Sequence, residues 1–510
     1  MMTSDIAKDT GRLHLMTTFG RPFWAANVME IFERLAYYGV RVVVPIYIAS
    51  SEDPSGLHFD NAQKGFIFTV WALVQTLLPM FTGGFADKYG RKSTIFFSIV
   101  IKVGGYLLMA SQRSFWGFFT GCIVLATGTA IFKPGQQGTL ARGISKKNSS
   151  VGWGIFYLVV SIGGWLGPPL AGYLHRLSWK WVFIGCAIVV SINFLVLLTY
   201  DDDDVAEDVD SGESKGAKKT DSILETGMQN RSAWEVLAYS VKTMVRPRLL
   251  SFILVMSGFW GMMMQSYDSL PNFIEEWVDS GDVVALFGLH EGSLAIQTPR
   301  GLQVAQEWMI NLEDTCILLL IIPLSAITGR LGLLRALVLG IFVASLGFLI
   351  VGTSATGLLC LLGIFVLALG EMIGGPKMWE YLAIIAPRGE EALYMGYTNV
   401  PIAIGWTSAT YVAGMLYNHV ADKANLALRY LRDQRLLAPE AIAKIPRTRA
   451  LEELQRATYL DAAGATRLLW DAYHPYTFWF LFVGMGAASG IGIFIYSNFA
   501  ERWAREKESA

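Results

Sequence analysis

A stripe of charged side chains inside a long apolar segment constrains this chain more than any other feature. Residues 23–49 are long and apolar enough to cross a lipid bilayer as one helix. The segment nevertheless carries four ionisable residues, and each such charge costs about 2.5–3.5 kcal/mol at the centre of a bilayer on insertion scales. These residues are Glu30, Glu33, Arg34 and Arg41. A helix that served only as an anchor would not carry all four.

The spacing of the stripe indicates how its charges can be kept inside a membrane. Together with two tyrosines, the charged residues recur at intervals of three and four, which places them on one face of a helix. The complete stripe is Glu30, Glu33, Arg34, Tyr37, Tyr38 and Arg41. We therefore predict that it points away from lipid, into a polar cavity shared with other helices. The competing interpretation is a static salt-bridge network that only holds helices together.

The composition favours an all-α polytopic membrane protein. Of 510 residues, 53% are apolar and 16% are charged, and long apolar runs recur along the whole chain. A net charge of −1 gives no reason to expect a nucleic-acid partner. The four cysteines are isolated in apolar segments, so we expect neither a disulfide framework nor a metal site.

Twelve segments have about the length that a membrane-spanning helix needs. They are predicted at 23–49, 61–85, 93–111, 114–141, 151–174, 179–199, 249–277, 309–329, 334–353, 357–386, 393–418 and 475–500. Lysine and arginine are concentrated in alternate short connections, for example Lys88, Arg91 and Lys92. By the positive-inside rule, we expect an integral protein of the plasma or inner membrane with both termini in the cytoplasm.

The chain is predicted to have two halves of six spans each. Residues 1–200 would form an N-terminal six-helix bundle and residues 249–504 a C-terminal one. The cytoplasmic linker 201–248 is polar and ends in a possible amphipathic helix. Extracellular insertions are predicted at 279–308 and 419–473, the second composed of amphipathic helices. Duplicated halves of this kind are typical of secondary transporters.

A few other ionisable residues lie deep in apolar segments, and each is by default a functional hypothesis. Lys133 lies in the fourth segment, Glu371 in the tenth and Asp268 late in the seventh. Lys102, in the third segment, is interpreted as a residue whose ammonium reaches the membrane surface. Asp314 opens the eighth segment and is interpreted as interfacial.

Several motifs resemble those of the proton-coupled oligopeptide transporters, a branch of the major facilitator superfamily. The stripe reads EIFERLAYYGVR and resembles the family's ExxERFxYYG signature. The fourth, fifth and tenth segments contain TGTAIFKPG, GIFYLVVSIGGWLGPPLAGYL and LALGEMIGGPKMWEYLAIIAP, which resemble further motifs of the family. The loop after the second segment, GGFADKYGRKST, matches only at the level of the superfamily. This resemblance implies a major facilitator fold with twelve helices in two six-helix bundles.

The resemblance also implies roles for individual residues. Substrate would be bound by Arg34, Tyr37, Tyr38, Arg41, Lys133, Ser161, Gln265, Asn311 and Glu371, with Arg41 and Lys133 on a carboxylate and Glu371 at the amino end. Proton coupling would involve Glu30, Glu33, Arg34, Lys133 and Asp268. The cytoplasmic loop residues Asp87, Arg91 and Lys92 would act in gating. No cofactor is implied, because the proton gradient supplies the energy.

Some positions depart from the family pattern. Ser161 and Gly164 replace an asparagine and a serine, and Gly135 ends the KPN motif as KPG. We therefore expect a divergent member.

The expected function is secondary active transport by alternating access, a proton-coupled symport of small peptides or peptide-like zwitterions. One alternative is a carrier of a different solute, such as an anion, a sugar or a drug-like compound. Another is a non-transporting receptor or assembly partner. We do not expect an enzyme, because the sequence contains no GxSxG, HExxH or P-loop motif.

Overall fold

A computed structural model describes residues 19–142, 149–200, 239, 241–387 and 391–509. The first half of this part of the chain contains six long helices. They are α1 (Arg21–Ala49), α2 (Asn61–Tyr89), α3 (Arg91–Ser111), α4 (Phe115–Arg142), α5 (Ser149–Leu177) and α6 (Trp179–Leu197). Most of the predicted linker, residues 201–238, lies outside the described residues.

The second half contains the remaining long helices and several short elements. They are α7 (Pro247–Met263), α8 (Gln265–Asp268), α9 (Leu270–Trp277), α10 (Gly281–Phe287), β1 (Ala295–Thr298), β2 (Gly301–Val304), α11 (Gln306–Thr328), α12 (Leu333–Thr353), α13 (Gly357–Ile385), α14 (Glu391–Gly396), α15 (Asn399–Val420), α16 (Lys423–Asp433), α17 (Pro439–Ile442), α18 (Ala450–Thr458), α19 (Ala462–Tyr473) and α20 (Phe478–Ser509). The strands β1 and β2 form an antiparallel hairpin.

The predicted fold class, an all-α membrane protein, is confirmed. Eight of the described helices are long and apolar enough to cross a membrane. Four further helices, α1, α2, α11 and α15, have 22 to 29 residues and carry polar or charged positions within them. These twelve helices begin and end close to the predicted segments. The predicted seventh span differs, because it is broken into α7, α8 and α9.

The amphipathic helices predicted for the second insertion are present as α16, α18 and α19. Their apolar faces are buried, as at Leu426, Leu454 and Leu469. The first insertion contains α10 and the β1–β2 hairpin, neither of which the sequence predicted.

The described chain forms two compact units. Unit 1 comprises residues 1–40, 73–175 and 180–230, and unit 2 comprises residues 41–72, 176–179 and 231–510. Helices α1 and α2 are therefore divided between the units, with residues 41–49 of α1 and 61–72 of α2 in unit 2. The division into bundles at 1–200 and 249–504 stays a prediction.

Glycines bring two long helices of unit 2 into backbone contact. A Cβ atom at Gly340 of α12 would lie 2.4 Å from the backbone nitrogen of Gly374 in α13. A Cβ atom at Gly370, beside Glu371, would lie 2.2 Å from the nitrogen of Ala344. Small residues allow such close packing between membrane helices. The position of Glu371 is therefore fixed by the backbone around it.

Candidate functional site

The charged stripe forms a buried ion-pair cluster in unit 1. The Nε atom of Arg34 lies 3.0 Å from Oε1 of Glu30, and its Nη2 atom lies 3.6 Å from Oε1 of Glu33. All three side chains are at most 7% exposed. The helical spacing thus correctly predicted that these charges would avoid lipid.

Lys102 belongs to this cluster, so its interpretation as a surface-reaching residue is wrong. Its ammonium forms an ion pair with Oε2 of Glu33 and lies 3.7 Å from the ring centroid of Phe132. The side chain is fully buried. Gly128 of α4 makes this possible, because a Cβ atom there would lie 2.5 Å from Cγ of Lys102. An ion pair inside the bundle offsets the desolvation that would otherwise drive the ammonium to the surface.

Lys133 is the third cation of the cluster. It interacts electrostatically with Arg34, Glu30 and Glu33. Within the described part of the chain, however, no carboxylate oxygen lies within 4 Å of its ammonium. With all five groups ionised, two carboxylates face three cations, and the cluster carries one positive charge in excess. We call Glu30, Glu33, Arg34, Lys102 and Lys133 the unit 1 cluster.

Two neighbouring contacts orient Arg34. Its guanidinium carbon lies 5.0 Å from the ring centroid of Tyr37, whose hydroxyl accepts a hydrogen bond from Gln75 at 3.0 Å. A Cβ atom at Gly163 of α5 would lie 2.5 Å from the Cβ of Arg34. Tyr38 packs edge-on against Tyr37 at 5.3 Å. The aromatic pair and the glycine together restrict where the arginine can point.

Arg41 lies in unit 2, where it forms a buried ion pair with Asp268. Asp268 also accepts hydrogen bonds from Nε1 of Trp406 at 2.9 Å and from the hydroxyl of Thr410 at 2.5 Å. The guanidinium of Arg41 lies 4.9 Å from the ring of Phe68 and 5.1 Å from that of Trp406. In this structure a carboxylate of the chain itself therefore pairs with this arginine.

Three carboxyl groups meet elsewhere in unit 2. Glu313 and Asp314 lie on α11, and Glu371 lies on α13. Glu313 and Glu371 are hydrogen-bonded to each other, and Asp314 interacts electrostatically with both. Asp314 lies two turns inside α11, which begins at Gln306, and its interfacial interpretation stays a prediction. We call Glu313, Asp314 and Glu371 the acid triad.

The other predicted site residues have local roles in the structure. Gln265 is fully buried. Its side chain donates to the carbonyl of Gly261 at 3.2 Å and accepts from the hydroxyl of Ser269 at 2.8 Å, and these two hydrogen bonds bridge the break in the seventh span. Ser161 donates to the carbonyl of Tyr157 on its own helix at 3.1 Å.

Asn311 is 2% exposed and lies one turn before Asp314. Of the predicted loop residues, Lys92 donates to the carbonyl of Tyr200 at 2.6 Å and Arg91 begins α3. The side chain of Asp87 lies outside the described residues. The roles proposed for Asn311 and for this loop stay predictions.

A third set of polar residues joins the second insertion to α2 and the segment before it. The ammonium of Lys423 lies 2.7 Å from Glu52, and Asp422 accepts from Asn61 at 2.7 Å and pairs with Arg447 at 2.6 Å. Burial acts to raise the pKa of Glu52, but Lys423 and the nearby Arg300 outweigh it and hold that pKa below its usual value. We call Glu52, Asn61, Asp422, Lys423 and Arg447 the insertion network.

Lys64 supports the same end of unit 2. Its ammonium donates to Oδ1 of Asn272 at 2.7 Å and lies 5.3 Å from the ring of Tyr417. One helical turn earlier on the same helix, Asn61 bonds Asp422. A Cβ atom at Gly65 would lie 2.8 Å from the Cα atom of Gly414, so α2 and α15 touch through their backbones here.

The profile of the Major Facilitator Superfamily matches residues 28–410. This chain belongs to the major facilitator superfamily. Among curated proteins, the peptide transporter YePEPT of Yersinia enterocolitica is 27% identical over 177 residues, which cover 33% of this chain and 34% of YePEPT. The uncharacterized transporter YclF of Bacillus subtilis is 26% identical over 163 residues, which cover 31% and 33%. The chain thus covers about a third of the length of each of these relatives.

Solved structures support the same fold over nearly the whole chain. A crystal structure of a POT family transporter in complex with 5-aminolevulinic acid matches with a TM-score of 0.62 at 15% identity, covering 90% of this chain and 97% of that one. The major facilitator fold and the resemblance to this branch, both predicted from the motifs, are thereby confirmed.

Sequence reasoning missed several polar residues of this major facilitator protein. Lys64, Lys102 and Glu313 are each at most 2% exposed. Lys64 and Lys102 are lone charges beside or within apolar runs, and Glu313 directly precedes Asp314. Such a charge does not by itself distinguish a paired buried residue from a surface-reaching one. Asp422, Lys423 and Arg447 lie in an insertion whose composition resembles that of an ordinary solvated helix. The partner of Asp422, Asn61, and the partner of Lys423, Glu52, each lie more than 350 residues away in the sequence.

Proposed function

We propose that this protein is a proton-coupled symporter of small peptides or peptide-like zwitterions that works by alternating access. The observation that carries the proposal is the unit 1 cluster, in which buried carboxylates share arginine and lysine partners inside a membrane protein. Such charges are too costly to be retained by a passive scaffold. The similarity to YePEPT and to the POT family structure supports the same class of solute.

The excess positive charge of the cluster suits capture of a carboxylate. Lys133 has no carboxylate within ion-pair distance in the described structure, and Arg34 can bind an anion through two parallel hydrogen bonds. For Glu371 of unit 2, the proposed interaction with an amino group comes from the resemblance of its motif. A zwitterion carries both groups, as 5-aminolevulinic acid does in the similar structure.

Glu30 is the better candidate for the exchangeable proton in unit 1. Glu33 is held by both Lys102 and Arg34, whereas Glu30 has one close cation, Arg34, at 3.0 Å. When Arg34 turns towards a substrate carboxylate, Glu30 loses its counter-charge and binds a proton more readily. Release of substrate would return Arg34 to Glu30 and expel the proton.

The Arg41–Asp268 pair and the insertion network are proposed to hold one end of the transport path closed. Both join residues 41–72 to helices of the second half of the chain. Alternating access requires these contacts to break in another state, and a proton on Asp268 would weaken the pair with Arg41. We place this end outside the cell and both termini in the cytoplasm, following the distribution of Lys and Arg.

The test is uptake of labelled di-alanine into proteoliposomes with an alkaline interior. We expect accumulation that an uncoupler of the proton gradient abolishes. The variant Glu30→Gln should lose gradient-driven uptake but retain exchange of internal for external substrate, since exchange needs no net proton movement. The control Glu380→Gln removes a carboxylate whose side chain is 49% exposed, and it should retain both activities.

Two results would overturn the proposal. The first is wild-type protein that neither accumulates nor exchanges any short peptide. The second is accumulation by wild-type protein that an uncoupler of the proton gradient leaves unchanged; accumulation by Glu30→Gln at the wild-type level would overturn only the assignment of the exchangeable proton to Glu30. Retained exchange in the variant also shows that it is folded.

A further inference from the structure

Lys64 of unit 2 is a buried cation whose hydrogen-bond partner in the described structure is a neutral amide. The residue is 2% exposed, and its ammonium donates to Oδ1 of Asn272 at 2.7 Å. Among the described residues, no carboxylate oxygen lies within 4 Å of this ammonium. An ammonium has three N–H donors, and its burial is costly without an anion nearby. One amide oxygen therefore compensates this charge incompletely.

Two carboxyl groups lie on either side of that amide along the broken seventh span. Asp268, Asn272 and Glu276 are spaced by four residues, which places them on one face of α8 and α9. Four residues of helix rise about 6 Å along the axis. Lys64 is bonded to the middle residue, so it lies about one turn from each of the two acids.

Contacts with α15 support this arrangement. The hydroxyl of Thr410 donates to Asp268 at 2.5 Å, and that of Tyr417, two turns later, donates to Glu276 at 3.0 Å. The two acids thus lie along the same side of α15. The ring of Tyr417 also lies 5.3 Å from the ammonium of Lys64. The lysine is therefore held between the levels of the two carboxyl groups.

Contacts with α1 and α2 repeat the same spacing of one turn. Arg41 of α1 pairs with Asp268, and the carbonyl of Pro45, one turn later, accepts from Nδ2 of Asn272 at 3.2 Å. On α2, the ring of Phe68 lies 4.9 Å from the guanidinium of Arg41, and the lysine lies one turn earlier. Each helix thus gives one residue at the level of the ion pair and one at the level of the amide.

The two acids differ in their partners. Asp268 has the cation Arg41, whereas Glu276 accepts from the hydroxyl of Tyr417 and from the backbone nitrogen of Lys423 at 3.4 Å. Within the part of the chain that the structure describes, no cationic nitrogen lies within 4 Å of the Glu276 carboxylate. The outer acid is therefore held by neutral donors.

The charged groups around Lys64 are mostly anionic. Lys64 interacts electrostatically with Glu276, Asp268 and Asp422, in decreasing order, and also with the cation Arg447. The backbone contact between α2 and α15 holds the main chain of Lys64 in place. A movement between these anions is therefore a movement of the side chain alone.

We propose that Lys64 is a positioning residue of the transport cycle, which takes the carboxylate of Asp268 when Arg41 leaves it. The inference rests on the proposed function, in which the Arg41–Asp268 pair breaks in another state. Without a second cation, the broken pair would leave Asp268 buried alone or would require a proton on it. Lys64 needs only to exchange the amide of Asn272 for a carboxylate one turn away.

The test is exchange of labelled di-alanine across proteoliposomes containing the full-length protein, without a proton gradient. Each variant is compared with wild type at about pH 6 and about pH 8, between which the protonated fraction of a carboxyl group changes. Lys64→Met removes the cation and should slow exchange about tenfold at the higher pH. The defect should be smaller at the lower pH, because a proton on Asp268 then replaces the missing cation.

Two further variants accompany Lys64→Met. Lys64→Arg keeps a cation at this position and should recover most of the exchange rate. The control Lys444→Met removes an exposed lysine of the second insertion and should exchange like wild type at both pH values.

Asn272→Asp tests the same inference without removing Lys64. An introduced carboxylate gives Lys64 a permanent partner and should hold it there, so exchange at the higher pH should again slow about tenfold. The thermal midpoint in detergent should not fall, because the new ion pair offsets the lost hydrogen bond to Pro45. A purely structural role of Lys64 predicts unchanged exchange in this variant. This variant decides the question if Lys64→Met folds poorly.

The outcomes separate this inference from peptide transport itself. Wild-type exchange in both Lys64→Met and Asn272→Asp overturns the role of Lys64 and leaves peptide transport in place. A defect in Lys64→Met that is equal at both pH values and is not recovered by Lys64→Arg also overturns it, because the position then requires a shape and not a charge. Absence of di-alanine exchange in the wild type overturns peptide transport and this inference together.

Discussion

The unit 1 cluster and the acid triad are both sets of buried ionisable groups, but they are balanced in opposite ways. In unit 1, Glu33 has two cations, Lys102 and Arg34, and Lys133 adds a third positive charge. In the acid triad of unit 2, the groups that act on Glu313 among the described residues are Glu371, Asp314 and Cys316, and none of them is a cation. Each carboxylate of the first cluster has a cation within 4 Å, whereas none of the second has one among the described residues.

The difference teaches what each region needs from its surroundings. A compensated cluster loses stability when one partner is removed, because the remaining charge is left buried and alone. An uncompensated cluster gains when a charge is removed, because repulsion and unmet hydrogen bonding decline. The sign of a stability change thus separates the two kinds of site.

The largest effect is expected in the compensated cluster. Glu33→Gln leaves Lys102 buried without its carboxylate and should lower the free energy of unfolding by about 3–5 kcal/mol. The measurement is the midpoint of chemical unfolding in detergent. The double variant Glu33→Gln/Lys102→Met removes both charges and should recover most of the loss. If the double variant is no more stable than the single one, charge balance does not govern this cluster.

The Arg41–Asp268 pair extends the comparison to unit 2. Asp268→Asn should lower the free energy of unfolding by about 2–3 kcal/mol, less than Glu33→Gln, because the guanidinium of Arg41 keeps its aromatic contacts with Phe68 and Trp406. The same unfolding measurement applies. Thr410→Val, which removes only one hydrogen bond to Asp268, is the matched control and should cost about 1 kcal/mol. If Asp268→Asn and Thr410→Val lower the free energy of unfolding by the same amount, the ion pair between Arg41 and Asp268 contributes nothing beyond one hydrogen bond.

The acid triad should respond with the opposite sign. Glu313→Gln removes an unsatisfied buried carboxyl and should leave the free energy of unfolding unchanged or raise it by about 1 kcal/mol. The measurement is made without ligand. A loss of about 2 kcal/mol or more would mean that Glu313 has a cationic partner in the native protein, and the comparison would fail.

The smallest effect is expected at Glu52 of the insertion network, whose side chain is 19% exposed. Its pKa in the folded state lies below the ordinary value of 4.5, so its contribution to stability is fully present above pH 4.5 and is lost as the pH falls through the folded value. The difference in thermal midpoint between wild type and Glu52→Gln should therefore shrink below pH 4.5. A difference that stays constant or grows on acidification would contradict the ion pair with Lys423.

The positions of the long helices could be predicted from the sequence because a bilayer imposes one length and one polarity on every span. The stripe from Glu30 to Arg41 could also be predicted, since helical spacing alone places its residues on one face. The break in the seventh span was not. It depends on the bonds of Gln265 to Gly261 and Ser269, which no hydropathy pattern contains.

The site was predictable only where a residue's partner lies on its own helix. The pair of Arg34 with Glu30 follows from spacing, but the pair of Lys102 with Glu33 depends on how α3 approaches α1 and on the room left by Gly128. Glu313 escaped notice for the same reason, because its significance comes from Glu371, which is 58 positions away in sequence. Tertiary contacts decide whether a charged side chain in an apolar segment reaches the membrane surface, forms an ion pair or has no partner of opposite charge.

Gly163 limits how the side chain of Arg34 can move within unit 1. Because α1 and α5 meet at Gly163 with no room for a methyl group, the stem of Arg34 is clamped at its root. To bind one anion after another, Arg34 must therefore rotate about its four side-chain torsion angles while its Cβ atom stays in place. The reach of one side chain thus sets the radius within which its successive partners have to be found.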